Sequence, residues 1–443
     1  LLIAYFGPIR RVSLCCFENT TKGQKAMENG GKLLIYAPVP VYRQDATLYL
    51  ENQANVGVAR WAENFGHVDV MMPVRDLPPP LGWSAISDDA PLPRNVDLHL
   101  LPTAYRPDQF LRAYAGTRSR IEDLIDRNDY LSFAIGGLFG DWGAVSGFAA
   151  KAKGRPFAVW ADRVESEVVR LGRNDGNWRR RLQAHLYHRP MAVLEHAVIR
   201  RSALGLFHGM ETFNAYAPYS DKPKVVHDIL LERSDHIPTQ DLRKKIMTSG
   251  QGPLKIVFAG RADPMKGPLE WVEVLEKLAA NGVDFQATWL GDGALLDDMK
   301  QAVERAGLSG RVALPGFVTD RQQVLTALRK AHIHMFCHKT PESPRNLIEA
   351  LISGTPIIGY DGAYARDLVH GHSGGAFVEI GDTGGLAQLV TAIDADRSRL
   401  AQLIEDAYND GKIFSSDAVF KHRSDLIKEY LPGPAKEKAP LHA

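Results

Sequence analysis

Lys255-Ile-Val-Phe-Ala-Gly260-Arg261-Ala-Asp-Pro-Met-Lys266-Gly267 runs from an apolar, buried-type strand straight into two cations five residues apart. Where such a strand empties into a glycine turn and a helix start, free backbone N–H groups and the helix dipole favour an anion. Arginine adds a planar fork of donors and lysine a point charge, so the pair reads as a clamp for a diphosphate. A surface turn with two solvated cations is the plain alternative for this stretch on its own. Downstream, Glu349 stands before a Gly354/Pro356 turn, where a carboxylate on a helix offers an acceptor for sugar hydroxyls. Together these residues point to a site for a sugar-linked diphosphate.

Outward from this stretch the chain alternates strand and helix in both directions. Toward the carboxyl end, strands are expected at 254–259, 284–290, 312–315, 333–337 and 356–360, with helical segments between them and closing pieces at 376–379 and 386–408. Toward the amino end, 32–37, 68–73, 96–101, 130–136, 156–160, 204–208 and 224–229 read as strands, and 107–125, 142–153 and 178–201 as helices. Such alternation implies mostly parallel sheets covered on both faces. The fold class expected is α/β, with two doubly wound Rossmann-like domains facing across a cleft. Residues 32–235 are read as the amino-terminal domain and 254–415 as the carboxyl-terminal domain. Residues 236–253 are read as the linker, 416–431 as a closing helix and 432–443 as a disordered tail. Residues 1–31, which lack a first Met and a clear period, are read as an extension, disordered or non-native. Ligands in open α/β sheets lie beyond the carboxyl ends of the strands, where Arg261, Gly291, Gly316, Glu342 and Tyr360 all fall.

Composition restricts the function classes. A chain of 443 residues suggests two or three domains, and 45% hydrophobic with 24% charged residues is ordinary for a globular protein. A net charge of +1 gives no general pull toward nucleic acid, so no nucleic-acid partner is expected. Cys15, Cys16 and Cys337 include no C-x-x-C pair, which argues against a structural zinc or a disulfide framework and fits a reducing cytoplasm. No run of about 20 apolar residues is present to span a membrane.

Thr340-Pro-Glu342-Ser-Pro-Arg345-Asn-Leu-Ile-Glu349 through Gly354-Thr-Pro356 adds the decisive company, together with Leu290-Gly-Asp-Gly293 and Val312-Ala-Leu-Pro-Gly-Phe-Val318. Over 254–382 the chain resembles the retaining glycosyltransferases of family 4, also called group 1, whose two-domain GT-B fold binds a nucleotide sugar mainly through the second domain. The resemblance implies Arg261 and Lys266 on the diphosphate, Glu349 on the ribose and Glu342 near the donor sugar. Gly260, Gly316, Phe317, Val318, Arg345, Asn346 and Leu347 would complete the donor site. In that family the acidic pair is spaced E-x7-E, whereas Glu342 and Glu349 are spaced E-x6-E, with Pro341 at the expected position and Pro344 also stiffening the loop.

The first domain departs further from the family. Its usual glycine loop is replaced by Pro38-Val-Pro-Val-Tyr42-Arg43-Gln-Asp45, so Tyr42 or Arg43 would substitute a side chain for a backbone contact. Where the family carries a His, Asp162 follows a strand and would orient the sugar or accept the acceptor's proton; a helix cap is its structural alternative. His208 is a further acceptor-side candidate. The segment 169–191 interleaves Arg170, Arg173, Arg179, Arg180, Arg181 and Arg189 with Trp178, Leu182, Leu186 and Tyr187, a composition that suits anionic lipid headgroups or a solvated helix face.

The resemblance implies transfer of a sugar from a nucleoside diphosphate sugar to a saccharide or lipid-linked saccharide hydroxyl, with retention. It implies no cofactor and no metal, since the two cations stand where a metal acts in other transferases. Cytoplasmic residence, with peripheral contact on the inner face of the membrane, is the matching expectation. A non-catalytic nucleotide-sugar-binding subunit on the same fold is the principal rival. A dinucleotide oxidoreductase would need G-x-G-x-x-G after the first strand, which is absent.

Overall fold

The computed structural model describes residues 30–80, 82–87, 91–171, 178–340 and 343–433. Two sheets organise the described residues. The first comprises β1 (Lys32–Tyr36), β2 (Val41–Gln44), β3 (Thr47–Glu51), β4 (His67–Arg75), β5 (Trp83–Ala85), β6 (Val96–Pro102), β7 (Tyr130–Ala134), β8 (Ala158–Ala161), β9 (Leu204–His208) and β10 (Pro223–Val226). Helices α1 (Asn52–Asn64), α2 (Pro107–Arg127), α3 (Trp142–Ala152), α4 (Glu165–Leu171), α5 (Trp178–Ile199) and α6 (Gly209–Tyr216) accompany it. The order is β10-β9-β8-β7-β1-β4-β2-β3-β5, with β6 also on β4. All pairs are parallel except β2/β3 and β3/β5.

The second sheet runs β13-β12-β11-β14-β15-β16, wholly parallel. Its strands are β11 (Leu254–Ala259), β12 (Phe285–Leu290), β13 (Val312–Gly316), β14 (Ile333–Phe336), β15 (Ile357–Tyr360) and β16 (Gly375–Val378). They alternate with α7 (Thr239–Thr248), α8 (Pro268–Ala280), α9 (Leu296–Arg305), α10 (Arg321–Lys330), α11 (Arg345–Ile352), α12 (Ala363–Leu368), α13 (Thr383–Ala395) and α14 (Arg397–Gly411), and α15 (Ser416–Tyr430) closes the chain. This is the 3-2-1-4-5-6 order of a doubly wound fold, whose strand order reverses between β11 and β14. The rows of Ile, Val, Phe and Leu in β11 and β14 are almost completely buried because helices cover both faces.

Three readings need correction. The stretch 38–45 is not simply a loop: Val41 and Tyr42 are buried, and Asp45 and Ala46 take positive φ (49° and 65°), closing a two-residue hairpin of β2 and β3. Residues 236–253 are not a bare linker, since α7 packs on α14 with Leu242 and Lys245 buried. The crossing lies earlier, where Arg60 grips Glu232 with two 2.7 Å bonds, Ser416 N–H donates to Leu231 and Arg321 pairs with Asp235 at 2.8 Å. The single closing segment read at 386–408 is two helices, α13 and α14, divided at Asp396, whose side chain caps the second. Helix α15 returns to the first domain, setting Phe420 edge to face with Trp61 at 5.3 Å and Arg423 over Trp160 at 3.9 Å.

Candidate active site at the strand-order reversal

Gly260, Gly291 and Gly316 end three neighbouring strands. Gly260 N–H donates to Leu290 O and Gly291 N–H to Gly316 O, each at 2.9 Å. A Cβ on Gly291 would lie 2.0 Å from Gly260 O, so that glycine is demanded by the close approach of two loops. On this platform Arg261 is 74% exposed and pairs with Asp263 at 3.1 Å. Lys266 ends a single 3₁₀ turn, 264–266. There Gly267, at φ 63°, is pressed against β14: a Cβ on it would meet Cys337 O at 2.3 Å. The Lys266 ammonium stands beside His338, whose pKa is driven well down, first by burial and then by that charge.

Helix α11 is tied to the same point. Asn346 donates its side-chain N–H to Ala259 O at 2.6 Å, which docks the helix start against the end of β11. Glu349 lies three residues further along α11 from Asn346. It is half-buried rather than an open surface residue, and burial raises its carboxyl above the usual range against the pull of Arg321 and Arg345. Arg261, Lys266 and Glu349 thus all belong to elements joined around the carboxyl end of β11, at the reversal point where ligands of such sheets bind. Phe317 is 73% exposed just past β13, which rules out its filling the core and leaves an aromatic face on the rim, with Val318 half-buried beside it.

Other candidates fall differently. Glu342 and Pro341 lie outside the described residues. Arg345 is already committed, to Asp228 at 2.6 Å and Gln53 at 2.7 Å in the first domain, so its guanidinium joins the domains. Leu347 is 1% exposed and packs in the core. Tyr42 is buried against Trp83, and Arg43 pairs with Asp76 at 2.6 Å, so both are used within the hairpin. Asp162 is exposed after β8 and acts electrostatically on Arg345, Arg423 and Tyr364, which sets it on the interdomain side. His208 is buried, accepts from Asp228 N–H at 3.0 Å through Nδ1, and its carbonyl accepts the Ser343 hydroxyl at 3.1 Å.

Several participants escaped sequence reasoning. Asp228 is held below the usual carboxyl range, because Arg345, Arg423 and His208 outweigh the upward push of burial. Glu211 at the start of α6 accepts Ala363 N–H at 2.8 Å from the opposite domain. The first domain does carry a glycine-rich turn, Ile135-Gly-Gly-Leu-Phe-Gly-Asp141, after β7 rather than after β1. Its Gly136, Gly137 and Ala144 N–H groups are filled by the Asp141 carboxylate. That placement was legible as a glycine cluster opening a helix. His67, Asp69 and Asp97 bring three ligand-type groups together, but at the amino ends of β4 and β6, away from the cleft; His99, Asn128 and Arg127 already engage Asp69.

The arrangement is the GT-B fold of glycosyltransferases. An Anabaena protein, Alr3699/HepE, solved in complex with UDP, superposes with a TM-score of 0.59 at 14% identity over 90% of this chain and all of its own. Residues 240–410 match the model of the family described as glycosyl transferases group 1. A 2-deoxystreptamine N-acetyl-D-glucosaminyltransferase of Niallia circulans is 24% identical over 232 residues, 50% of this chain and 54% of that protein. The lipopolysaccharide core biosynthesis glycosyltransferase LpsE of Rhizobium meliloti is 28% identical over 166 residues, 37% of this chain and 46% of its own. The chain spans about half the length of these curated relatives.

Proposed function

We propose that this protein is a retaining glycosyltransferase that moves a sugar from a nucleoside diphosphate sugar to a hydroxyl of a saccharide or lipid-linked saccharide, in bacterial cell-surface polysaccharide or glycolipid synthesis. What supports the reading is that Arg261 and Lys266 follow β11 directly and that Asn346 ties the start of α11, the helix that carries Glu349, to Ala259 O at the end of that strand. Glu349 accepts the ribose hydroxyls, Phe317 and Gly316 flank the base, and the two cations hold the diphosphate. In the transfer the C1–O bond to the phosphate breaks while the acceptor oxygen bonds C1 from the same face. The acceptor proton passes to the departing phosphate oxygen, whose charge Arg261 and Lys266 stabilise as it grows. The cations need no metal for this role. Asp162, on the interdomain side, orients the acceptor hydroxyl.

The test is thermal unfolding with UDP, GDP and ADP, followed by nucleotide release with and without a bacterial glycan extract. A nucleotide at 100 times its Kd stabilises the folded state by about 2.7 kcal/mol. Release that depends on acceptor supports transfer; binding without release in any extract would make the protein the non-catalytic rival, and no binding would remove the proposal.

Cytoplasmic residence with peripheral membrane contact belongs to the same reading. Among the described residues no helix is long and apolar enough to cross a membrane. On α5, Trp178, Leu182, Leu186 and Val193 are 66%, 52%, 58% and 68% exposed, at helical spacing, with Arg181 and Arg189 exposed among them. Arg173 and the side chains of Arg179 and Arg180 lie outside the description. An apolar stripe edged with arginine suits an anionic interface. Co-sedimentation with phosphatidylglycerol vesicles, lost at high salt and in Leu182→Asp/Leu186→Asp, is expected; equal binding to neutral vesicles would contradict it.

A further inference from the structure

Between the domains lies a cavity of about 210 Å³ beyond the ends of β14 and β15. Its size is below the several-hundred-Å³ scale of drug-sized ligands and suits a single sugar ring. Glu211 enters from α6 of the first domain, while His338, Thr340, Asp361 and Tyr364 line it from the second. Tyr364 is 1% exposed and its hydroxyl has no hydrogen-bond partner among the described residues, nor has the buried Thr340 hydroxyl. Buried hydroxyls without partners are costly, so they mark places where a polar ligand completes the bonding. The cavity opens beside the Lys266 turn, since His338 both lines it and neighbours that ammonium.

The charges in this wall are one-sided. Among the described residues no lysine or arginine lines it, and Asp361 is neutralised by Arg366. Glu211 uses one oxygen to accept Ala363 N–H and has no basic partner among the described residues. Its placement is tightly determined. The preceding Gly209, at φ 69°, is jammed between the domains: a Cβ there would stand 2.4 Å from Ser343 Oγ and 2.5 Å from Tyr364. A hydroxyl-rich neutral ring therefore finds acceptors and two waiting hydroxyls, while a carboxylate meets the half-buried Glu211 anion, which has no basic partner among the described residues.

We infer that this cavity receives the sugar being transferred, that the sugar is an uncharged pyranose rather than a uronic acid, and that Glu211 sets this choice by accepting a sugar hydroxyl. The inference rests on the donor reading above and adds the substrate class. A turn of α6, from the domain expected to bind the acceptor, thus selects the donor.

The test compares UDP-glucose with UDP-glucuronic acid, and GDP-mannose with GDP-mannuronic acid, in wild type and Glu211→Gln, with UDP and GDP binding measured in parallel. The amide keeps the oxygen that accepts Ala363 N–H, and an unchanged melting temperature would confirm that packing survives. Wild type is expected to favour the neutral donor. Glu211→Gln should lower kcat/KM for that donor about tenfold or more, as for loss of a charged hydrogen-bond acceptor, narrow the preference, and leave binding of the bare nucleotide unchanged. Equal use of both donors by wild type, or an unaltered preference in Glu211→Gln, would overturn the inference while nucleotide binding upheld the donor site. Failure of wild type to bind either nucleotide would instead remove the donor reading and this inference with it.

Discussion

Lys266→Ala is expected to lower kcat about a hundredfold or more at saturating donor, the scale of removing one preorganised donor from a developing oxyanion. Arg261→Ala should act in the same direction. Both side chains project from a short turn after β11, and Arg261 is 74% exposed, so thermal stability should stay near wild type. The Arg261–Asp263 pair, at 3.1 Å on the surface, contributes little of its own. Turnover matters here more than affinity, because leaving-group charge grows only as the C1–O bond breaks. A lysine that merely decorated the turn would leave kcat unchanged, and that result in both variants would withdraw the diphosphate assignment.

Asp228→Ala should instead strike stability, by about 3 kcal/mol, the lower end of the range for breaking a buried ion pair, since the carboxylate is one-fifth exposed. Asp228 faces Arg345 at 2.6 Å and Arg423 at 3.4 Å, one guanidinium from the second domain and one from the returning helix α15. Removing the carboxylate leaves both cations together, and Arg423, 7% exposed over the rings of Trp160 and Trp61, cannot move to solvent. Urea unfolding would show the loss as a lower midpoint. A change under about 0.5 kcal/mol, the ordinary size for a surface position, would mean that the three charges do not act together.

Much of the second domain could be read directly. The bounds of β11 and β9 were legible to the residue, because strands covered on both faces are uninterrupted apolar runs ending in glycine or histidine. The donor candidates Arg261, Lys266, Gly316 and Phe317 are local: each lies at or just past a strand end in sequence. The β2–β3 hairpin was missed because Pro38 and Pro40 outweighed the alternation after them. Helix α7 was legible only as a short helix-like segment, 242–247, because its apolar residues are few and its polar face dominates.

What sequence by itself determined was the layered α/β architecture and the placing of two cations, Arg261 and Lys266, just past one strand, since these depend on periodicity and on residues near one another in the chain. Only the tertiary structure decided which polar groups are already taken. Arg345, Tyr42 and Arg43 looked available as side chains, yet Asp228, Trp83 and Asp76 claim them from 117, 41 and 33 residues away. Glu211 looked like any surface acid and emerged in the cavity wall. Charge partnership across a domain boundary is set by distance in space, for which spacing along the chain carries no signal.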